Sequence, residues 1–250
     1  MLRLSATIGN QHTNSIIHTH VDLCRAKKLC SILGPEAWKG RSCFLIGGGP
    51  SLEDPLFASL ISKIITDGEI TIGVNKSFLF GTTLFYAMDE LFYNLVTDPN
   101  NKDLHRSWLA YQGIKVFVRR SSQMRLDSTV YYVHPIDRKV ISLDINQGIY
   151  LGNNSGIGAI MLACAMGCKK IGLLGYDLSV RTGDNKTHWH EGYKHQQPGE
   201  MVGPLVEFKL AIEEFADAWK MNGIDIVNLN PNSSLKCFRF ATVEEFRLEK

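Results

Sequence analysis

A chain of 250 residues with 44% hydrophobic and 10% aromatic side chains carries enough apolar material for one sizeable core, which excludes a disordered polymer. The formal charge of +2, from 27 basic and 25 acidic side chains, gives no support to broad electrostatic capture of nucleic acid. No apolar run reaches the roughly 20 residues that cross a bilayer, and Met1 to Asn10 lacks the charged-then-apolar design of a secretory signal, so a cytoplasmic protein is expected. Cys24, Cys30, Cys43, Cys164, Cys168 and Cys237 are scattered without a C-x-x-C pair, the pattern of free thiols rather than of a disulfide framework.

Residues 1–20 are polar, include His12, His18 and His20, and read as an N-terminal arm ahead of a domain over 21–250. Asp22 to Leu33 has apolar residues at helical spacing and is stopped by Gly34-Pro35. Ser42-Cys43-Phe44-Leu45-Ile46 is a continuous apolar run that breaks into glycines, as a buried parallel strand does. Leu52 to Ile65 reads as the following helix. Ile70 to Val74 and Leu84 to Met88 read as strands that end at Asn75 and Asp89. Leu104 to Tyr111 has helical spacing, Ile114 to Val118 and Val130 to Val133 look like strands, and residues 135–150 show no clear period. Ser155 precedes an apolar helix over Ile157 to Met166, with Gly167 as its stop. Lys170 to Leu174 is a strand ending in Gly175-Tyr176-Asp177. Residues 179–200 are polar, rich in His, Gly and Lys, and long enough to predict a lid. An amphipathic helix over Val202 to Met221, closed by Asn222-Gly223, and a last strand over Ile224 to Leu229 complete the series.

This alternation predicts an α/β fold: a single Rossmann-like domain, a mostly parallel sheet with helices on both faces, and a polar lid segment. Ligands of such sheets sit beyond the carboxyl ends of the strands. The candidates are therefore Gly47–Ser51, Asn75, Asp89, Tyr176-Asp177 and Asn230–Ser233.

Gly47, Gly48 and Gly49 allow a sharp turn and close backbone approach to a ligand. Pro50 suits a helix entrance, and Ser51 can cap that helix or donate its hydroxyl to a phosphate. Exposed N–H groups and the helix dipole favour an anion there. The pattern is neither G-x-x-x-x-G-K-[ST] nor a full G-x-G-x-x-G, which disfavours an ordinary P-loop ATPase or NAD enzyme. A tight strand-to-helix turn without a ligand is the alternative.

Phe44-Leu45-Ile46-Gly47-Gly48-Gly49-Pro50-Ser51-Leu52 resembles the opening strand and loop of the bacterial sialyltransferases that use CMP-sialic acid. It is equally similar to the related 6-hydroxymethylpterin pyrophosphokinase-like family, which includes many phage proteins. Further islands follow in the same order: Gly73-Val74-Asn75, Asn154-Ser155-Gly156, Ile171 through Asp177, Thr187-His188-Trp189-His190, and Asn230-Pro231-Asn232-Ser233. Together they span about 42 to 235. The sialyltransferases usually carry asparagine where Gly48 stands, and the stretch Gly175 to His195 is closer to the phage-type branch.

The resemblance implies a nucleotide-sugar-dependent glycosyltransferase, with a CMP-type donor, an unnamed acceptor and no required cofactor. Gly47, Gly48, Gly49, Ser51, Asn75, Asn154, Ser155 and Gly156 would bind the nucleotide, with Asn232 and Ser233 at its base or ribose. His188, then His190, would deprotonate the acceptor hydroxyl, near Asp177; a histidine with its usual pKa near 6.5 suits that work. The alternative is a pyrophosphokinase-like phosphotransferase using ATP, with Asp89 and Asp177 holding Mg²⁺. A non-catalytic nucleotide-binding module is a third reading. His188, His190, His195 and Asp177 are also residue types that bind transition metals, though not at a known ligand spacing. Trp189 and Tyr176 could stack on a ring or simply pack, and Arg119-Arg120 could meet an acidic acceptor or phosphate. The apolar helix faces allow a homo-oligomer, and a phage-encoded chain would work in the host cytoplasm.

Overall fold

The computed structural model describes residues 24–191 and 198–248. Nine parallel strands form one sheet: β1 (Lys27–Lys28), β2 (Ser42–Ile46), β3 (Ile70–Val74), β4 (Leu84–Ala87), β5 (Ile114–Val118), β6 (Tyr131–Val133), β7 (Lys170–Leu174), β8 (Asp225–Asn228) and β9 (Arg239–Phe240). Their order is β1-β6-β5-β4-β3-β2-β7-β8-β9. From β2 the chain adds strands in one direction to β6, then crosses back and adds β7, β8 and β9 on the other side of β2. The direction of winding thus reverses between β2 and β7, where open α/β sheets form their ligand crevice.

Strand alternation assigns the helices to faces. Cys43 and Leu45 of β2 belong to a core built with α4 (Ser155–Ala165), α5 (Val202–Glu213) and α6 (Ala216–Met221). Phe44 and Ile46 point the other way, onto α1 (Pro55–Thr66) and α7 (Val243–Leu248). Further along that second face, Phe85 and Phe117 meet α2 (Glu90–Thr97) and α3 (Lys102–Ala110). Both faces are covered, which is why β2, β3, β4 and β7 are nearly continuous apolar runs. Every residue of α4 except Gly156 is buried, so it has no polar face. Gly167 ends the helix region at φ +97°. Among the described residues no helix is long and apolar enough to cross a membrane.

The sequence reading needs corrections at four places. No helix spans the described part of Asp22 to Leu33: β1 and a 3-10 turn at Leu29–Ser31 stand there, because Lys27 and Lys28 add to the edge of β6 and Leu29 is fully buried beside it. The expected helix over Leu52 to Ile65 is divided. Pro50–Glu53 forms a 3-10 turn, and α1 starts at Pro55 with Asp54, not Ser51, as its cap. The helix expected over Val202 to Met221 breaks at Glu214-Phe215, which turns Phe215 and Trp219 into the core with ring centroids 5.6 Å apart. The outer side of α5 keeps Val202, Val206 and Leu210 exposed, so it is apolar on more than its inner face. Finally, β8 is not the last strand. β9 and α7 follow, and α7 has a legible start signal in Thr242-x-x-Glu245, whose side chains exchange hydrogen bonds with each other's backbone N–H. Buried Cys43, Cys164 and Cys168 are free thiols.

Candidate functional site

The polar residues expected at strand ends stand on five consecutive strands: Asp89 after β4, Asn75 after β3, Gly47–Ser51 after β2, Tyr176-Asp177 after β7 and Asn230–Ser233 after β8. Local backbone decides how each is presented.

At the β2 end the glycines are needed for protein packing. Gly47 N–H donates to Leu174 O and Gly49 N–H to Gly175 O, both at 2.8 Å. A Cβ on Gly47 would stand 2.5 Å from Gly175 O, and one on Gly49 only 1.7 Å from Asp177 Oδ2. Asp177 is almost fully buried under this corner. Its carboxylate accepts from Ser51 N–H (3.2 Å), Ser51 Oγ (2.8 Å) and Asn230 Nδ2 (3.0 Å). Burial raises its pKa, and the bonds from Ser51 and Asn230 oppose that rise. Pro50 has no N–H, so Gly48 supplies the one backbone donor of the corner without a protein acceptor among the described residues. Asp177 thus occupies the donors that a phosphate would otherwise use, and its role in the structure is to hold the β2, β7 and β8 ends together.

Tyr176 is also part of the scaffold. It is buried, and its hydroxyl donates to Gly156 O at 3.1 Å, tying β7 to the first turn of α4. Asn154 caps α4 through Ile157 N–H (2.9 Å), with Ser155 and Gly156 forming the turn above the sheet edge. Ser233 is fully buried and donates to Tyr176 O at 2.6 Å, whereas Asn232 is exposed. Asn230 was visible only as one member of a strand-end run. The structure makes it a direct partner of Asp177.

The β3 end differs. Asn75 takes a left-handed conformation, φ +52°, and its Oδ1 is buried without a hydrogen-bond partner. The chain then folds back as a 3-10 turn over Asn75–Phe80, close enough to Gly73 that a Cβ there would meet Ser77 O at 2.8 Å. Ser77 Oγ donates to Gly47 O and accepts from Trp189 Nε1 at 3.3 Å. These bonds tie the β3 end, the glycine corner and the lid into one unit.

The described part of the lid lies down on this unit. Trp189 N–H donates to Gly48 O at 3.1 Å, and the indole packs on Phe80 with centroids 4.9 Å apart. Packing, rather than an open stacking platform, is therefore the structural role of Trp189. Arg181 donates to Pro50 O at 3.2 Å and pairs with Glu53 and Asp184, while Lys186 also pairs with Glu53. The Lys186 and Arg181 bonds hold the Glu53 carboxyl below its usual pKa, against a smaller effect of burial. Glu53, Arg181 and Lys186 were not recognised from the sequence. A charged triplet spread over 133 positions has no local signature.

His188 is half-buried above Gly48. The Cδ2 of its ring would stand 3.4 Å from a Cβ at that position, and Cδ2 adjoins Nε2. Thr187 Oγ1 lies 2.9 Å from His188 Nδ1 and fixes the ring's orientation. His190 stacks on the same ring, centroids 5.1 Å apart. Burial, and then the charge of Lys76, push the His188 pKa below its ordinary value, so the imidazole is neutral at pH 7. Gly48 leaves room where a longer side chain would displace this ring.

Asp89 stands at the start of α2, where the surrounding protein partly desolvates its carboxyl and raises its pKa, with the charge of Arg120 opposing. It ends a strand three places from that of Asp177, a separation of about 14 Å at normal strand spacing. Among the described residues no three His, Cys, Asp or Glu side chains converge as metal ligands. His195 and the arm with His12, His18 and His20 lie outside the described residues.

No protein-family model matches this chain, and comparison with curated protein sequences returns no match.

Proposed function

We propose that this protein is a nucleotide-sugar-dependent glycosyltransferase of sialyltransferase-like type in which His188 is the general base. The observation that carries this reading is a neutral, oriented imidazole above Gly48 at the point where the sheet reverses its winding. The donor would sit between the β2–β3 ends and the first turn of α4. The orphaned Asn75 Oδ1 calls for a donor group, which a ribose hydroxyl or a base amine supplies. Gly48 N–H and the α4 N-terminus favour the phosphate. His188 takes the proton of the acceptor hydroxyl as that oxygen bonds the anomeric carbon. The bond from the anomeric carbon to the phosphate oxygen breaks, and its electron pair leaves with the nucleotide. The folded-down lid excludes water, which would otherwise compete as the acceptor.

Thermal-shift titration with CMP, UDP, GDP and ATP, each with and without Mg²⁺, tests the reading. Stabilisation by CMP without metal is expected, and it is expected to be weaker in Asn75→Gly. Metal-dependent stabilisation by ATP alone would replace it with a phosphotransferase. CMP binding without turnover that changes in His188→Gln would leave a non-catalytic binding module.

A further inference from the structure

Two residues of the 3-10 turn at Asn75–Phe80 grip the same lid residue. Ser77 is fully buried; its hydroxyl donates to Gly47 O and accepts from the indole N–H of Trp189 at 3.3 Å. Phe80 ends the turn and packs on the Trp189 ring, centroids 4.9 Å apart. The backbone of Trp189 is held as well, since its N–H donates to Gly48 O at 3.1 Å. Trp189 is therefore fixed at its indole nitrogen, its ring and its main chain.

The turn that does the gripping is itself pinned. It folds back over Gly73, where a Cβ would stand 2.7 Å from Thr82 Oγ1 and 2.8 Å from Ser77 O. Gly81 closes it in the left-handed region at φ +82°. With the Ser77 backbone fixed, the chemistry of its hydroxyl decides the rest. A serine hydroxyl has one hydrogen to give, and Gly47 O takes it. The oxygen keeps its acceptor capacity, and an indole nitrogen can only donate, so Trp189 Nε1 is the matching partner. His188 immediately precedes Trp189. Residues 187–190 lie in no helix or strand, so no ladder of backbone bonds fixes His188 there. Its placement comes from the anchored neighbour, after which the Thr187 Oγ1 contact at 2.9 Å sets the ring.

We propose that Ser77 is a positioning residue for His188, acting through the indole of Trp189. The role of His188 as general base rests on the transferase reading; the placement of its ring by Ser77 does not.

NMR of the whole chain tests the proposal with two signals. One is the indole N–H of Trp189, assigned through Trp189→Phe, and the other is the ring of His188, assigned through His188→Gln. In Ser77→Ala the indole signal is expected to move upfield, towards that of an unbonded indole. The His188 titration midpoint is expected to rise towards the ordinary value near 6.5, because the released ring regains water. Lys76 at the β3 end and His190 on the lid also face this ring, and neither is changed. Ser77→Ala also strips Gly47 O of its donor, so Trp189→Phe is the second variant. It keeps an aromatic ring against Phe80 and the Ser77–Gly47 bond, and it removes the indole donor. The same rise of the His188 midpoint is expected there, with the unfolding midpoint unchanged. In turnover of CMP-sialic acid both variants should lower kcat about tenfold and leave the donor KM near wild type. An unchanged His188 midpoint in Trp189→Phe would overturn the proposal, whatever Ser77→Ala does. A loss confined to KM would make the pair part of donor binding and overturn the positioning role. Absence of CMP binding and turnover in the wild-type protein, with the midpoint rise intact in both variants, would defeat only the transferase reading.

Discussion

The β2 end and the β3 end are neighbours in the sheet and differ in what they do with their polar groups. At Gly47–Ser51 nearly every donor is spent inside the protein, on Leu174 O, Gly175 O and Asp177. At Asn75 a buried amide oxygen is left without a partner in a left-handed conformation, and the next residue, Lys76, adds to the burial that lowers the proton affinity of His188. The first pattern belongs to a scaffold, since satisfied polar networks rigidify a structure. The second is the pattern that a bound ligand would complete under the proposed function, since orphaned groups and backbone strain cluster at functional sites.

Substitutions that tell the two regions apart should respond in opposite ways. Gly49→Ala places a methyl 1.7 Å from the Asp177 carboxylate, so the largest loss is expected there, about 4 kcal/mol in denaturant unfolding. Asp177→Ala strands Ser51 and Asn230 and should cost about 3 kcal/mol. In the double variant the clash with the carboxylate is gone and only the 2.8 Å approach to Gly175 O remains, so the combined loss should fall clearly short of the sum. Additive losses would show that the corner is not built around that carboxylate.

Asn75→Gly is expected to do the reverse. Glycine relieves the φ of +52° and removes the orphaned oxygen, so stability should hold within about 1 kcal/mol while CMP binding weakens about tenfold. A large stability loss would move Asn75 into the scaffold.

The effect of pH provides a smaller signal. The folded-state pKa of His188 lies below its unfolded value, so the unfolded chain binds more protons in the interval between them. The stability tied to a neutral His188 is therefore present above about pH 6.5 and is lost as pH falls through the folded pKa. His188→Gln should flatten that part of the stability profile, and turnover should decline over the same interval. A profile identical to wild type would show that the ring is not the buried neutral group described.

The smallest change is expected in Glu53→Gln. It breaks the pairing with Arg181 and Lys186, so amide exchange around residues 181–189 should quicken at low salt with little change in global stability. The difference from wild type should vanish at about 1 M salt, where the Debye length is about 3 Å. No difference at low salt would show that Trp189 and Ser77, rather than the ion pairs, hold the lid down.

Periodicity and glycine punctuation alone determined the α/β class, the bounds of β2, β3, β5 and β7, and the polar residues at their ends. A buried parallel strand is a local apolar run that stops at a residue needing special backbone, and both features are written within a few positions. The short edges were not legible in this way. β1 and β9 have two residues each, too few to carry a period, and they exist because β6 and β8 offer an open edge. The tertiary structure alone decided the duties of the site residues. Ser51 and Asp177 are 126 positions apart, and only the pairing of β2 with β7 makes the hydroxyl and the carboxylate partners rather than two independent ligands for phosphate. His188 is an unremarkable lid histidine in one dimension. Folding that segment onto Gly48 gives it a direction and a lowered proton affinity, because burial and a neighbouring charge depend on what packs around a group and not on what precedes it in the chain.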